Sequence, residues 1–385
     1  MQCHGIITPQ MGASGAHFFL PSAESQAPHL PWKIRLFPWL EAWDPWLPDS
    51  LTISEPSWGR MASGWMTQPT FEAFVQQLFL TPAQPASMAL HRAWQQHQAS
   101  LKPLQLPTTR PQAPKSPPLD RPVVMGIVNT TPDSFSDGGH YHNSHAAIDH
   151  ALKLADEGAD ILDIGGESSR PGAQTIPLEE ELKRVIPVIR EVSKQCNLPI
   201  SIDTVKAGVM SAALEAGASI INDISALTAE NNALQVARES QAPVVLMHRL
   251  DSSDVMQEDP RYEDCVAEIS YYLEQRIAWC EENGLKASQL IVDPGLGFGK
   301  TLDHNLALLR ELGAFRGLGC TLLLGLSRKR MVAELSGIKK AADRDLPSHL
   351  FAAEGIRNGA HWVRVHDVAG ARVMVDSQWR SMLHC

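Results

Sequence analysis

The sequence is poor in cysteine and has no paired-cysteine motif. Its six cysteines are scattered along 385 residues, and none forms a C-x-x-C pair. This usage excludes a disulfide framework and a cysteine zinc site, and it predicts reduced thiols in a cytoplasmic protein. The first twenty residues also lack the basic and apolar regions of a signal peptide, so secretion is not expected.

Positive charge and long apolar stretches are scarce as well. The chain has 33 Lys and Arg residues against 43 Asp and Glu residues, a formal net charge of −10, and no long basic run. Nucleic acid is therefore not expected as a partner. No stretch reaches the roughly 18 apolar residues of a membrane span, so no membrane association is predicted. A small anionic substrate must accordingly be bound by local cations.

Proline and tryptophan are present but unevenly distributed. Residues 1–118 hold 17 of the 27 prolines and 7 of the 10 tryptophans. Because proline ends helices and is kept out of central strands, this part predicts only short elements. The apolar spacing predicts one helix over 69–80 and a second over 86–101. The proline-rich tract 107–122 predicts an extended linker, and a later chain start at Met61 or Met88 is an alternative.

From Val123 onward, short apolar runs alternate with helical patterns, of which the clearest lie at 144–158, 178–194 and 207–217. Nearly continuous apolar strands, each followed by a helix, are typical of a parallel sheet covered on both faces. Eight such units in about 260 residues predict an α/β fold of the (β/α)₈ TIM-barrel type, with a doubly wound open sheet as the alternative. The runs are 123–128, 160–165, 200–203, 219–223, 244–248, 290–293, 321–326 and 361–366.

The predicted strands end in polar side chains, which packing alone does not require. In a TIM barrel the active site forms at the C-terminal ends of the strands, so these residues predict a ligand site at one mouth. Two long loops, 129–143 and 165–177, contain glycine and proline and predict functional covers over that mouth. The strand-end residues are Asn129, Asp163, Asp203, Asn222, Asp223, His248, Asp293, Ser327, Arg364 and His366.

The segment DPGLGFGKT, residues 293–301, resembles a phosphate-binding P-loop but fails its spacing. Pro294 stands where G-x-x-x-x-G-K-[ST] requires its first glycine, and proline has neither the N–H nor the free φ that the loop needs. We therefore exclude a P-loop NTPase. Lys300 is expected to be a solvated or loop-bracing lysine, and the glycines are expected to let the backbone approach a planar ligand closely.

Eight motifs resemble, in order and spacing, those of dihydropteroate synthase. They are MGIVNTTPDSFSDGG, DILDIGGESSRPGA, SIDTVKAGV, INDI, VLMH, VDPGLGFGK, GLSRKR and VRVHDV, and they span about residues 122–385. The resemblance implies an enzyme that joins 6-hydroxymethyl-7,8-dihydropterin diphosphate to 4-aminobenzoate in folate biosynthesis, with release of pyrophosphate. It divides the chain into an N-terminal Pro/Trp-rich extension of unknown fold, residues 1–118, and a pterin-binding barrel domain, residues 119–385.

The same resemblance implies a role for each site residue. The diphosphate is assigned to Asn129, Arg364 and His366, with Mg²⁺ as cofactor and Asp137 completing the metal ligands. The pterin edge is assigned to Asp203, Asn222, Asp293 and Lys329, and the faces of its ring to Met247 and Phe298. Asp203 also opposes the developing positive charge. The catalytic group is Asp203, Arg364, His366 and Lys329.

The 4-aminobenzoate pocket is implied at Phe135, Ser169, Arg170, Pro171 and Phe298, with Ser327 and Arg330 where the next helix begins. The expected partners are the two small substrates and a second copy of the chain in a homodimer, and sulfonamides are expected to compete. Ser169 replaces the threonine usual in the family, which bears on drug sensitivity more than on activity. Two alternatives remain open: a pterin-dependent methyltransferase barrel, and a catalytically silent paralogue that binds pterin.

Overall fold

The structure of the protein is a computed structural model. The structure describes residues 121–131, 139–168, 175–250 and 260–383, together with the backbone of short elements in the N-terminal part. The predicted helix over 86–101 lies outside these residues, as does the linker up to residue 120.

Five short strands of two to six residues form one sheet in the N-terminal part. They are β1 (Cys3–His4), β2 (Gly15–Phe18), β3 (Trp32–Phe37), β4 (Leu51–Ser54) and β5 (Met61–Met66). Their order is β1-β2-β3-β5-β4, with β1 and β2 parallel and the other pairs antiparallel. Within the helix predicted over 69–80, the two described residues, Ala73 and Phe74, are helical.

Eight parallel strands form a closed barrel, which confirms the predicted TIM-barrel fold. Strand β13 pairs with β6, Trp362 lying opposite Val123, so the sheet has no free edge and the open-sheet alternative is wrong. The strands are β6 (Val123–Asn129), β7 (Ile161–Gly165), β8 (Ile200–Asp203), β9 (Ile220–Asp223), β10 (Val244–Met247), β11 (Leu290–Asp293), β12 (Thr321–Gly325) and β13 (Trp362–Val365).

Helices surround the barrel. In the described residues they are α1 (Gly139–Asp156), α2 (Leu178–Gln195), α3 (Ala207–Ala216), α4 (Ala233–Ser240), α5 (Cys265–Glu282), α6 (Leu302–Arg310), α7 (Arg330–Ser336), α8 (Asp345–Arg357) and α9 (Val368–Leu383). The three helical patterns recognised in the sequence correspond to α1, α2 and α3. Among the described residues, no helix is long and apolar enough to cross a membrane.

Helix α2 shows how the sequence specifies this outer layer. Its first turn holds three consecutive glutamates, which the positive end of the helix dipole stabilises. Val185, Val188, Ile189 and Val192 recur at helical spacing and are fully buried against the barrel. The opposite face is polar, so the amphipathic pattern determines which side of the helix faces the strands.

Alternation along the strands determines what lies inside the barrel. A buried apolar layer fills its lower part and includes Ile161, Ile220, Val245, Ile291 and Trp362. Because side chains alternate with a period of two, the residue two positions further along each strand also points inward. Those residues are Asp163, Asn222, Met247, Asp293 and Arg364. The apolar layer therefore supports a second layer at the mouth, which is mostly polar.

Candidate active site

Arg364 joins two carboxylates at the mouth of the barrel. Its Nε donates to Asp163 Oδ2 at 2.5 Å, and its Nη2 donates to Asp203 Oδ2 at 2.6 Å. The three residues come from β13, β7 and β8; β7 and β8 are adjacent in the closed sheet, and β6 lies between β13 and β7. Asp163 is fully buried, whereas Arg364 and Asp203 retain some exposure. The site thus contains a mostly buried ionic triad with one cation and two carboxylates.

Asn222 extends this triad on β9. Its Nδ2 lies 3.1 Å from Asp163 Oδ2 and 3.3 Å from Asp163 Oδ1. The Asp163 carboxylate therefore orients both Asn222 and Arg364 from a fully buried position. The sequence placed Asp163 at a strand end but gave no reason to assign it a role, since its partners lie far away in the chain. The available signal was its position two residues after Ile161, which places both side chains on the same face of the strand.

Burial determines the electrostatics of the triad. It raises the pKa of Asp203 to about 7, with Arg364 opposing the rise and Asp163 adding to it. Burial alone would lower the pKa of Arg364, but Asp163 and Asp203 outweigh it and raise that pKa above its ordinary value. Arg364 is consequently always charged, while Asp203 exchanges its proton near neutral pH.

Asp293 and Lys329 influence each other electrostatically at the mouth, from the end of β11 and the turn after β12. Asp293 Oδ1 accepts a hydrogen bond of 2.7 Å from the Gly295 N–H. Burial raises the pKa of Asp293, with Lys329 opposing the rise. Burial likewise lowers the pKa of Lys329 to about 8, with Asp293 opposing that shift. The ammonium group of Lys329 donates to the Leu296 carbonyl and lies 4.3 Å from the centroid of the Phe298 ring.

An apolar wall lies beside these charges. Met247 and Phe298 are buried and pack together, with Ile224 against them. Met247 comes from the end of β10 and Phe298 from the loop after β11. The predicted pair is therefore brought together, and it offers a flat ligand two apolar side chains next to carboxylate acceptors.

The glycine-rich loop is shaped by contacts within the protein. Gly295 has φ 68°, and a Cβ there would lie 1.9 Å from the His248 carbonyl oxygen. Gly299 has φ 65°, and its Cβ would lie 2.5 Å from the Leu250 Cβ. The described contacts thus require glycine for left-handed backbone and for close approach of the neighbouring loop. These contacts account for the glycines without any ligand. The sequence had suggested a different reason, namely that glycine lets the backbone approach a planar ligand closely.

Lys300 braces this loop. Its side chain is only 3% exposed, and its ammonium donates to the Phe298 carbonyl at 2.8 Å and lies 3.1 Å from His248 Nδ1. Burial lowers its pKa to about 7. The loop-bracing alternative for Lys300 is confirmed, and the solvated one is wrong because the amine is enclosed by backbone carbonyls and an imidazole.

The remaining described candidates are distributed unevenly. Ser327 Oγ and His366 Nδ1 are 3.0 Å apart, and the His366 N–H donates to Ser327 Oγ at 3.2 Å. Asn129 ends β6 beside Gly165 and is partly exposed. Arg330, in contrast, is 85% exposed and pairs with Glu334 on its own helix. The structure therefore does not bring Arg330 into the cluster.

Five predicted residues cannot be placed. Phe135, Asp137, Ser169, Arg170 and Pro171 lie outside the described residues, so the predicted 4-aminobenzoate pocket and metal carboxylate stay predictions. The base of the second loop is described: Lys206 pairs with Glu167 and with buried Glu181, at 2.6 Å from the latter. The Ile176 N–H also donates to Glu167 at 3.3 Å, so both ends of the 165–177 loop are fixed to the barrel.

These groups suit a flat, polar, partly anionic ligand. Asp203, Asn222 and Asp293 offer acceptors to a ring with N–H donors, and the Met247–Phe298 wall can pack on the face of that ring. Arg364 and Lys329 supply positive charge that a diphosphate would use. The charge of Arg364 is already compensated by two carboxylates, however, so its burial does not by itself require a bound anion.

Comparison with known proteins identifies the chemistry. A family model described as pterin binding enzyme matches residues 125–366. The dihydropteroate synthase of Escherichia coli strain K12 is 45% identical over 250 residues, which cover 65% of this chain and 88% of that protein. The chain belongs to the dihydropteroate synthase family. As a member, it is a transferase of folate biosynthesis that forms dihydropteroate.

Solved structures of the dihydropteroate synthase family agree with the barrel described above. The Xanthomonas albilineans enzyme with 4-aminobenzoic acid is 46% identical, with a TM-score of 0.65 over 69% of this chain and 94% of that one. The same enzyme in complex with 7,8-dihydropteroate matches with 42% identity and a TM-score of 0.65, covering 73% of this chain and 100% of that one. The similarity to the family is thus one of sequence and of fold.

Proposed function

We propose that the mouth of the barrel binds 6-hydroxymethyl-7,8-dihydropterin diphosphate and transfers its pterin methylene group to 4-aminobenzoate. The observation that carries this proposal is the Asp163–Arg364–Asp203 triad with Asn222 hydrogen-bonded to it. This cluster places carboxylate and amide acceptors beside a fixed cation in one buried layer. Such an arrangement suits a bicyclic ring with an N–H edge and an anionic substituent.

The pterin ring is proposed to lie between the two charged groups. The Asn222 side-chain oxygen and the Asp293 carboxylate accept from the N–H groups of the pyrimidinone edge, and Lys329 donates to the ring carbonyl or N5. Met247 and Phe298 pack on the ring, as their buried pairing supports. Buried groups that hydrogen-bond a substrate edge reject analogues without that edge by about 10⁴-fold or more. The site should therefore discriminate strongly for pterins.

The proposed reaction breaks the C–O bond between the pterin methylene and the diphosphate. The bonding electrons leave with pyrophosphate, and the carbon becomes a cation stabilised by the pterin. Ionised Asp203 opposes this charge, an interaction that is stronger in the transition state than in the ground state. The amine of 4-aminobenzoate then forms the new C–N bond and loses a proton. Asn129, Arg364 and His366 are the proposed ligands of the departing diphosphate.

We infer that Mg²⁺ assists diphosphate departure. In the part of the chain that the structure describes, no group of three His, Cys, Asp or Glu side chains could hold a metal by itself. One amide and one carboxylate suffice for Mg²⁺, which takes few protein ligands and keeps substrate phosphates and water. Asn129, at the end of β6, and Asp137 would hold it. Bound there, the ion would supply charge stabilisation to the leaving group.

The decisive assay supplies the full-length chain with both substrates and measures pyrophosphate and dihydropteroate. Release of both in equal amounts, dependent on 4-aminobenzoate, is the expected result, and sulfonamides should compete with that substrate. Methyl transfer from methyltetrahydrofolate without pyrophosphate would instead support the methyltransferase alternative. Pterin binding with no turnover would indicate a silent paralogue. Repeating the assay with a chelator and then with added Mg²⁺ tests the metal.

A homodimer is proposed through the outer face of α8 and α9. Leu346 and Leu350 on α8 are 72% and 65% exposed, and Val373 on α9 is 69% exposed. Large apolar side chains grouped on neighbouring helices are typical of protein interfaces. Sedimentation of the purified chain should give twice the monomer mass.

The chain is proposed to act in the reducing cytoplasm, with residues 119–385 as its catalytic domain. Cys280 and Cys320 are buried thiols, and burial raises the pKa of both, which suits structural cysteines.

Expressed alone, residues 119–385 should fold and bind the pterin diphosphate. A truncated chain that failed to fold would show that residues 1–118 are integral to the catalytic domain.

A further inference from the structure

The turn between β12 and α7 contains an unusual backbone conformation. Arg328 has φ 59°, in the left-handed region that residues other than glycine rarely adopt. Its two chain neighbours, Ser327 and Lys329, both contact residues at the mouth of the barrel. Strained residues persist only when surrounding contacts hold them, and they cluster at functional sites. The contacts that hold Arg328 are therefore informative.

Helix α8 and the residue before it hold Arg328 through both its side chain and its backbone. The guanidinium makes two parallel bonds with Asp345, Nε to Oδ1 at 2.6 Å and Nη2 to Oδ2 at 2.7 Å. The Arg328 N–H donates to Ser348 Oγ at 2.9 Å, and its carbonyl accepts from Arg344 Nη1 at 2.9 Å. Ser348 is buried, whereas the side chains of Arg328 and Asp345 are 28% and 25% exposed.

The two flanking residues reach different parts of the site. Ser327 Oγ is 3.0 Å from His366 Nδ1, next to β13. Lys329 extends to the Leu296 carbonyl and the Phe298 ring, in the loop after β11. One left-handed residue between them changes the direction of the chain, which allows side chains two positions apart to serve β13 and the β11 loop together.

We propose that Arg328 is a positioning residue: its left-handed conformation, imposed by Asp345 and Ser348, places Ser327 and Lys329 for the reaction. The inference rests on the roles proposed above for those two residues. Arg328 itself needs no contact with substrate. Its guanidinium is engaged by Asp345 on the outer helix, so it acts through the backbone. Displacements of about 1 Å at reacting groups can cost about 10²-fold in rate, which is the sensitivity this arrangement would control.

Glycine and alanine at position 328 separate the conformation from the side chain. Both variants lose the Asp345 contact, but glycine adopts positive φ readily and alanine does not. We expect kcat/KM for the dihydropterin diphosphate to be about tenfold higher in Arg328→Gly than in Arg328→Ala. This order is opposite to the usual one, in which glycine is the more damaging substitution. The losses should appear in kcat and in KM for the pterin substrate.

Two further variants complete the design. Asp345→Asn, which weakens the anchor while leaving position 328 unchanged, should lower kcat/KM in the same direction as Arg328→Ala. Lys340→Ala removes an exposed ion pair with Asp343 just before α8 and should leave kcat/KM unchanged. Thermal unfolding of every variant, measured on the full-length chain, shows which losses come from instability.

The outcomes distinguish this inference from the proposed site. Equal kcat/KM in the glycine and alanine variants, or a better alanine variant, overturns the positioning role. If both variants fail to fold, Asp345→Asn decides: a folded variant with wild-type kcat/KM also overturns it. If Lys329→Met keeps wild-type kcat/KM, the proposed role of Lys329 is wrong, whatever the variants at position 328 show.

Discussion

Replacement of Arg364 by methionine tests the electrostatic core of the site. Methionine keeps an unbranched apolar side chain but removes the cation that lies 2.5 Å from Asp163 and 2.6 Å from Asp203. Two buried carboxylates then face each other without compensation. Arg364 is also the main influence that opposes the raised pKa of Asp203, about 7 in the wild type. The variant should hold Asp203 protonated to higher pH.

The expected losses follow from that geometry. Removing one partner of a buried ion pair costs about 3–5 kcal/mol of stability. Loss of a preorganised charge at the reacting centre costs about 10²–10³-fold in kcat. The folded pKa of Asp203 exceeds its unfolded value, so the native state binds more protons between these two pKa values. The unfolding free energy therefore falls as pH rises from the unfolded to the folded pKa of Asp203. In the variant this fall should extend to higher pH.

Pyrophosphate release, measured across pH, checks both effects. The acidic limb of the profile for Arg364→Met should move to higher pH, and part of the lost activity should return above neutrality. Arg372→Met is the matched control, since Arg372 is 15% exposed against 19% for Arg364 and also pairs with two carboxylates, Asp160 and Asp376. Asp160 precedes β7, away from the mouth, so this control should lose stability but not kcat. Near-normal kcat in Arg364→Met, with an unmoved profile, would refute the reasoning.

Three other predictions follow from separate features. Lys300→Met removes an amine whose folded pKa, about 7, lies below its unfolded value. As pH rises from about 7 to about 10, wild type should therefore gain stability relative to the variant. Denaturant titrations would measure this gain. A chelator should abolish turnover but leave the circular dichroism spectrum unchanged, whereas full activity without metal would contradict the Mg²⁺ role. Leu346→Glu should yield monomers in sedimentation, and an intact dimer would place the interface elsewhere.

Much of the barrel was predictable because its signals are local. An apolar run followed by a helical pattern predicts a strand that is buried on both faces. This prediction does not depend on which other strands pair with it. The run at 200–203 coincides with β8, and the run at 290–293 coincides with β11. Polar residues at strand ends likewise predicted a site at one mouth, since parallel strands bring their C-terminal ends to the same side.

Residues whose surroundings come from distant parts of the chain were not predictable in detail. Arg330 belongs to the same GLSRKR motif as Lys329, yet helix α7 directs its side chain outward to Glu334. Lys300 lies among glycines in a loop that reads as exposed, yet His248 and Phe298 enclose it. For both residues, the way the surrounding elements pack decided whether the side chain met solvent or the interior.

The sequence by itself determined the strand and helix pattern, the parallel class of sheet, and the polar character of the mouth, but it left an open sheet as an alternative to the closed barrel. Only the tertiary structure decided which of those polar groups meet. Arg364 and Asp163 are 201 residues apart in the chain, and they contact because β13 closes onto β6 and β6 onto β7. Side-chain alternation sets the direction of each residue along its strand, whereas strand register and closure set its neighbours across the barrel.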